Sequence, residues 1–134
     1  MKRANSQIRI RLIRRTDNMV RAIMHGCNGH MGQVITGLIK NDESIEIVAG
    51  IDKYKGIEND YPVFDSMEAC TEEADVVIDF SNAAAIDALL DSCKDKKLPV
   101  VLCTTGLSEE QLAKVKETAK ETAVLKISKY VSRN

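Results

Sequence analysis

"MHGCNGHMGQVI", residues 24–35, decides how the rest of the chain is read. It joins an apolar stretch to an amphipathic one and holds Gly26, Gly29 and Gly32 together with His25, Cys27 and His30. Two readings compete. Either the histidines and the cysteine ligate a metal, or the backbone forms a cradle in which the glycines matter and the side chains are incidental. A closed zinc site needs four ligands, and the 134 residues contain no third histidine. A metal would also leave the glycines unexplained, so no metal site is expected. The cradle accounts for all three. Gly26 lets the chain turn sharply out of a strand, and Gly29 removes a side chain where a pyrophosphate would approach the backbone. Gly32 lets the following helix lie close to the sheet. Free amides and the dipole at that helix start then favour an anion.

Working outward, short apolar runs alternate with longer amphipathic ones. "MVRAIM" (19–24) reads as a strand, and "HMGQVITGLIKN" as a helix with Met31, Val34, Ile35, Leu38 and Ile39 on one stripe. "SIEIVAGID" (44–52) is a β-branched strand, and "YKGIENDYP" is a polar loop with Gly56 and Pro62. "VFDSMEACTEEA" predicts a short strand and a helical turn, and "DVVIDF" (75–80) a strand buried on both faces. "NAAAIDALLDSCKDKK" is a helix with Ala85, Leu89 and Cys93, or Ile86 and Leu90, facing inward. "LPVVLC" (98–103) is another strand. "SEEQLAKVKETAKET" opens a helix with a capping box of Ser108 and Gln111, and "AVLKI" (123–127) is a last strand. Such alternation implies parallel pairing through right-handed crossovers: an open, doubly wound α/β sheet.

Composition supports one soluble globular domain, with 44% apolar and 29% charged residues. The net charge of −1 hides an asymmetry. Residues 1–21 carry seven basic groups against Asp17, a net of +6, which leaves twelve basic and nineteen acidic groups, a net of −7, in the remainder. That acidic body, with three Tyr, two Phe and no Trp, offers nucleic acid neither a cationic face nor a stacking platform. Residues 1–18 are expected to be a disordered basic extension. The head reads as an RNA-binding arm, a targeting peptide or upstream translated sequence ahead of Met19. It lacks the apolar core of a secretory signal, and no stretch approaches the roughly 20 apolar residues that span a bilayer. Cys27, Cys70, Cys93 and Cys103 show no C-x-x-C pair, so four reduced thiols in the cytoplasm are expected.

In a doubly wound sheet, ligands bind beyond the carboxyl ends of the strands. The spacing G-x-x-G-x-x-G is a variant of the dinucleotide fingerprint found among reductases. Asp52 ends the second strand twenty residues after Gly32, where a carboxylate accepts both adenine-ribose hydroxyls and repels a 2′-phosphate. Neighbouring Lys53 offsets that repulsion, so NADH is favoured without exclusion of NADPH. In "DFS", Asp79 to Ser81 leading into Asn82, either Ser81 or Asn82 caps the next helix, or the turn with Phe80 lines the channel between ribose and nicotinamide. "CTTG", Cys103 to Gly106, places two hydroxyls at a strand end as donors for a nicotinamide carboxamide or a substrate carboxylate. The fold expected is therefore Rossmann-like.

From Met19 to about Ile127 the chain resembles the N-terminal domain of the dihydrodipicolinate reductase family of lysine and diaminopimelate biosynthesis. The likeness rests on "GCNGHMG", Asp52, "VVIDFS" and "VVLCTTGLSEEQ". It implies that Gly26, Cys27, Asn28, Gly29, His30 and Met31 hold the pyrophosphate. Asp52 and Lys53 would take the adenosine ribose, and Cys103, Thr104 and Thr105 the nicotinamide end, with Cys103 acting through its backbone. It further implies hydride transfer from NADH or NADPH to a cyclic imine-type substrate in a cytoplasmic homotetramer.

Two departures stand out. The family's substrate domain, with its "HHxxKxDAPSGTA"-like motif, has no counterpart here, since both histidines lie in the glycine turn. No catalytic residue is therefore assigned, and the chain alone is expected to bind cofactor with little or no turnover. The tail "ISKYVSRN" replaces the family's "N-M-S-x-G" pattern. One codon choice for its last six residues, read one base later, encodes Asn-Met-Ser-Leu-Gly, so residues 128–134 are expected to be that motif out of frame. A non-catalytic nucleotide-sensing or interaction module is the alternative. Another two-domain dehydrogenase, of the homoserine or aspartate-semialdehyde type, is disfavoured by "DFS" followed by "TTGLSEEQ".

Overall fold

The computed structural model describes residues 19–127. Both the basic extension of residues 1–18 and the atypical tail of residues 128–134 lie outside the described residues. The elements follow the order β1 (Val20–His25), α1 (His30–Ile39), β2 (Ile45–Ile51), β3 (Val63–Phe64), β4 (Val76–Asp79), a 3₁₀ turn (Ala83–Ala85), α2 (Ile86–Lys96), β5 (Val100–Leu102), α3 (Glu109–Thr118) and β6 (Val124–Lys126). All six strands form one parallel sheet in the order β3-β2-β1-β4-β5-β6. This is the doubly wound Rossmann order, with the direction of winding reversing between β1 and β4.

Burial explains why these segments become strands. Ile23, Val48, Val77, Val100 and Leu102 are almost wholly buried in the sheet, and Ile86, Leu89, Leu90 and Cys93 of α2 pack onto it. Of the two alternative inward stripes expected for that helix, Ile86 and Leu90 are buried as a pair, while of the other Leu89 and Cys93 are buried and Ala85 lies half-buried in the preceding 3₁₀ turn. α2 also packs against α3, whose start carries the complete capping box: Ser108 Oγ accepts from the Gln111 amide, and Gln111 Oε1 from the Ser108 amide. One residue, Val48, bulges from the β1–β2 ladder, where the register shifts between Ala22 and Ile23.

Helix α1 turns its apolar stripe largely outward: Leu38 is 71% exposed, Met31 and Val34 are also exposed, and Ile35 and Ile39 are only half-buried. The one buried residue of α1 is Gly32. The cause lies downstream. Residues 52–62 are too few to hold a crossover helix and form a loop, so among the described residues no helix lies between β2 and β3 to flank α1.

The two helices therefore respond differently to truncation. Leu90→Ala is expected to lower unfolding free energy by roughly 3 kcal/mol, whereas Leu38→Ala changes it by less than about 0.5 kcal/mol. Urea denaturation of both variants measures the contrast.

Candidate functional site

The turn after β1 is built from backbone packing. Gly26 adopts φ +87°, and a Cβ there would press into the Phe80 carbonyl after β4. Gly32 approaches the Gly26 and Cys27 backbone so closely that a Cβ would overlap it. The glycine thus brings α1 against the turn itself, where the sequence suggested contact with the sheet. At Gly29 a Cβ would meet only the Gly26 carbonyl, at an ordinary 3.5 Å. The internal packing does not demand glycine there, which leaves space on the outer side of the loop.

Within this loop most amides are already engaged. Those of Gly26 and Cys27 donate to the Ile51 carbonyl, that of Asn28 to Asp52 Oδ2 at 3.0 Å, and that of Gly29 to the Gly26 carbonyl. Gln33 donates back to the Gly29 carbonyl. The N-cap, Gly29, provides no side-chain acceptor for the first turn of α1, so the amides of His30 and Met31 remain available there.

The three metal-ligand candidates point apart. His25 Nδ1 bonds Asp79 Oδ1 at 2.8 Å, Cys27 is buried beneath the loop against Gly50 and Tyr61, and His30 is exposed on α1. Burial and the neighbouring Asp52 carboxylate push the Cys27 thiol up to about 11, which keeps it protonated. Among the described residues no cluster of three or more His, Cys, Asp or Glu is placed to hold a metal ion.

A cleft of about 570 Å³ opens at the reversal point between β1 and β4. Of the residues singled out from sequence, Gly26, Asn28, Gly29, Asp52, Lys53, Phe80 and Ser81 line it. His30 and Met31 stand exposed at its edge on α1, and Cys103, Thr104 and Thr105 lie beyond its lining, at the end of β5. His25, Tyr54, Asp65 and Asn82 also line the cleft and were not assigned to a site from sequence.

Asp52 accepts the Asn28 amide on one oxygen and the Tyr54 amide on the other, both at 3.0 Å. Each carboxylate oxygen has a second lone-pair site, so two hydroxyl donors can still bind. Asn28 lines the cleft and also holds its surroundings together. Its buried side chain donates to the Tyr54 carbonyl and accepts from Asn59 Nδ2, tying the 52–59 loop to the glycine turn.

Two expectations at the far strand ends change. Neither Ser81 nor Asn82 caps the following helical turn with its side chain; Ser81 Oγ donates instead to Asp79 Oδ1 at 2.6 Å. Thr104 is buried, with its hydroxyl donating to Asp79 Oδ2 at 2.6 Å, so it is not a free donor to a ligand. Only Thr105 of the pair is exposed. Asp79 has no exposed surface. Burial pushes its pKa up, but the bonds from His25, Ser81 and Thr104 outweigh this and hold it below the usual carboxylate range.

A family profile described as dihydrodipicolinate reductase, N-terminus, matches residues 20–130. The chain belongs to the dihydrodipicolinate reductase family. The matched region is the family's NAD(P)H-binding domain. The 4-hydroxy-tetrahydrodipicolinate reductase of Clostridium tetani is 46% identical over 108 residues, which cover 81% of this chain and 42% of the relative. That of Caldanaerobacter subterraneus subsp. tengcongensis is 47% identical over 108 residues, again 81% of this chain and 43% of the relative. The chain thus spans about two fifths of the length of these dihydrodipicolinate reductases. Among solved structures, dipicolinate-bound dihydrodipicolinate reductase from Paenisporosarcina sp. TG-14 superimposes with a TM-score of 0.66 at 28% identity, over 75% of this chain and 43% of that one. Aspartate semialdehyde dehydrogenase with NADP from Candida albicans shares the fold alone, with a TM-score of 0.57 at 19% identity over 82% of this chain and 42% of that one. Among the described residues no helix is long and apolar enough to cross a membrane.

The depressed pKa of Asp79 has a defined consequence for stability. A carboxylate whose pKa is lower folded than unfolded contributes stability above its unfolded value, near 3.9, and loses it as pH falls through the folded value. Denaturation measured from pH 6 down to pH 2 is therefore expected to show a decline below about pH 4 that is shallower in Asp79→Asn.

Proposed function

We propose that residues 19–127 form a domain that binds NADH or NADPH across the mouth between β1 and β4. The observation that carries this reading is the uncapped first turn of α1 beside open space at Gly29, at the head of a cleft that ends on Asp52. A diphosphate suits the His30 and Met31 amides and the positive end of the α1 dipole. The free lone pairs of Asp52 suit the two hydroxyls of an adenosine ribose, and Lys53 at the cleft wall is placed to tolerate a 2′-phosphate. Phe80 and Ser81 border the path toward the second nucleotide half, whose end would lie against Cys103 to Thr105.

When bound, the nicotinamide supplies the hydride. The chain's own residues bind and orient: the glycine turn fixes the diphosphate, Asp52 fixes the ribose, and the turns after β4 and β5 fix the ring. In the complete reductase, hydride is delivered to a cyclic imine-type substrate. The 134-residue chain by itself binds cofactor with little or no turnover, because its two histidines flank the glycine turn, at the end of β1 and the start of α1, and the family's histidine-pair motif has no counterpart in it. That same feature favours a second reading, a non-catalytic nucleotide-binding module, which differs in its prospect of turnover when a substrate-domain partner is supplied.

Fluorescence titration of the full chain with NADH tests the proposal. Saturable binding is expected, weakened on the order of tenfold or more in Gly29→Val with the melting temperature held, since that position has room for a side chain only where the diphosphate would sit. Absence of saturable binding, or an unaltered affinity in Gly29→Val, contradicts it.

A further inference from the structure

Asp79 has no exposed surface, yet its two oxygens collect groups from three separate parts of the site. Oδ1 is bonded by His25 Nδ1 at 2.8 Å and Ser81 Oγ at 2.6 Å; Oδ2 is bonded by Thr104 Oγ1 at 2.6 Å and by the Thr104 amide at 3.3 Å. The Ser81 amide donates in turn to Thr104 Oγ1 at 2.9 Å. One side chain thus joins the end of β1, the turn after β4 and the turn after β5.

The turn at 103–106 has little else to hold it. β5 is three residues long, and Gly106 stands at φ +77° with open space around it. Among the described residues, the hydrogen bonds that tie residues 103 and 104 to their surroundings run to Asp79 or Ser81: Cys103 donates its amide to the Asp79 carbonyl at 3.0 Å, and Thr104 uses both its amide and its hydroxyl on the carboxylate. A dinucleotide lying across a doubly wound sheet has one half over β2, where Asp52 stands, and the other over β4 and β5.

The geometry points to Asp79 as a positioning residue for the nicotinamide half of the cofactor. Through Thr104 and Ser81 it fixes the 103–106 turn relative to the phosphate turn, and His25 locks the same carboxylate to the end of β1. Asp79 itself touches no cofactor atom. The inference rests on the dinucleotide reading above and adds to it a division of labour: removing the Thr104 or Ser81 bond to Asp79 loosens the grip on one half of the ligand only.

The test compares two ligands on the full 134-residue chain, NADH by fluorescence and ADP by calorimetry. ADP carries only the half that the phosphate turn and Asp52 would hold. In Thr104→Val the dissociation constant for NADH is expected to rise on the order of tenfold, as for loss of one hydrogen bond to a charged group, while that for ADP stays within about twofold. Thr104→Ser, which keeps the hydroxyl, is expected to restore the NADH value. A Thr104→Val variant that weakens both ligands alike, or neither, overturns the inference. Should Thr104→Val fail to fold by circular dichroism, Ser81→Ala decides: the NADH-to-ADP ratio is expected to shift in the same direction, and an unchanged ratio overturns the inference. Binding of both ligands to the unaltered chain with no ratio change in the variants removes the inference alone. Binding of neither removes the dinucleotide reading and the inference together.

Discussion

A sheet wound outward in two directions from its centre leaves the strand ends at the reversal uncovered by any crossover, so the polar groups there must be satisfied by one another or by a ligand. In this chain the burden falls on Asp79. An unpaired buried carboxylate would be costly; four donors from the His25, Ser81 and Thr104 side chains and the Thr104 backbone make it tolerable and use it as a fastener. The turns after β1, β4 and β5 are consequently held as one rigid rim. The Gly26 turn closes against the same rim through the Phe80 carbonyl, and α1 begins where that turn ends. The mouth of the cleft is a product of this single arrangement.

Much of the fold was legible because the central strands are short and largely apolar, and because each ends beside a distinct turn chemistry. Helix α1 shows what periodicity omits. Met31, Val34 and Leu38 recur at helical spacing, but spacing says nothing about what covers the stripe, and the loop at 52–62 brings no second helix to that side. Thr104 shows the opposite: a usable signal was present. Val100, Leu102 and Thr104 are all buried, so the alternation of β5 carries on past the end of the strand and turns the first threonine of "CTTG" inward and the second outward. The pairing of His25 with Asp79 was out of reach, because it depends on the parallel register that sets these two residues side by side.

The glycine triplet also acquired a finer meaning. Gly26 and Gly32 are required by the packing of the chain against itself, whereas Gly29 is not. Asn28, taken as part of the anion cradle, also anchors the loop that carries Asp52 and Tyr54, so the two ends of the cleft share a single buried side chain. The relatives of Clostridium tetani and Caldanaerobacter extend well past the region matched here, and Thr105, Gly106 and the α1 stripe are surfaces that the matched region leaves uncovered.

The central claim is that main-chain amides at the start of α1 grip a diphosphate while Asp52 holds the adjoining sugar. Amide-resolved NMR of the nitrogen-15-labelled chain during NADH addition tests it most directly. The account predicts that the largest shifts fall on Gly29, His30 and Met31, with a second group at Asp52 and Lys53. Shifts centred elsewhere, such as on α3, or a spectrum indifferent to NADH, would contradict it.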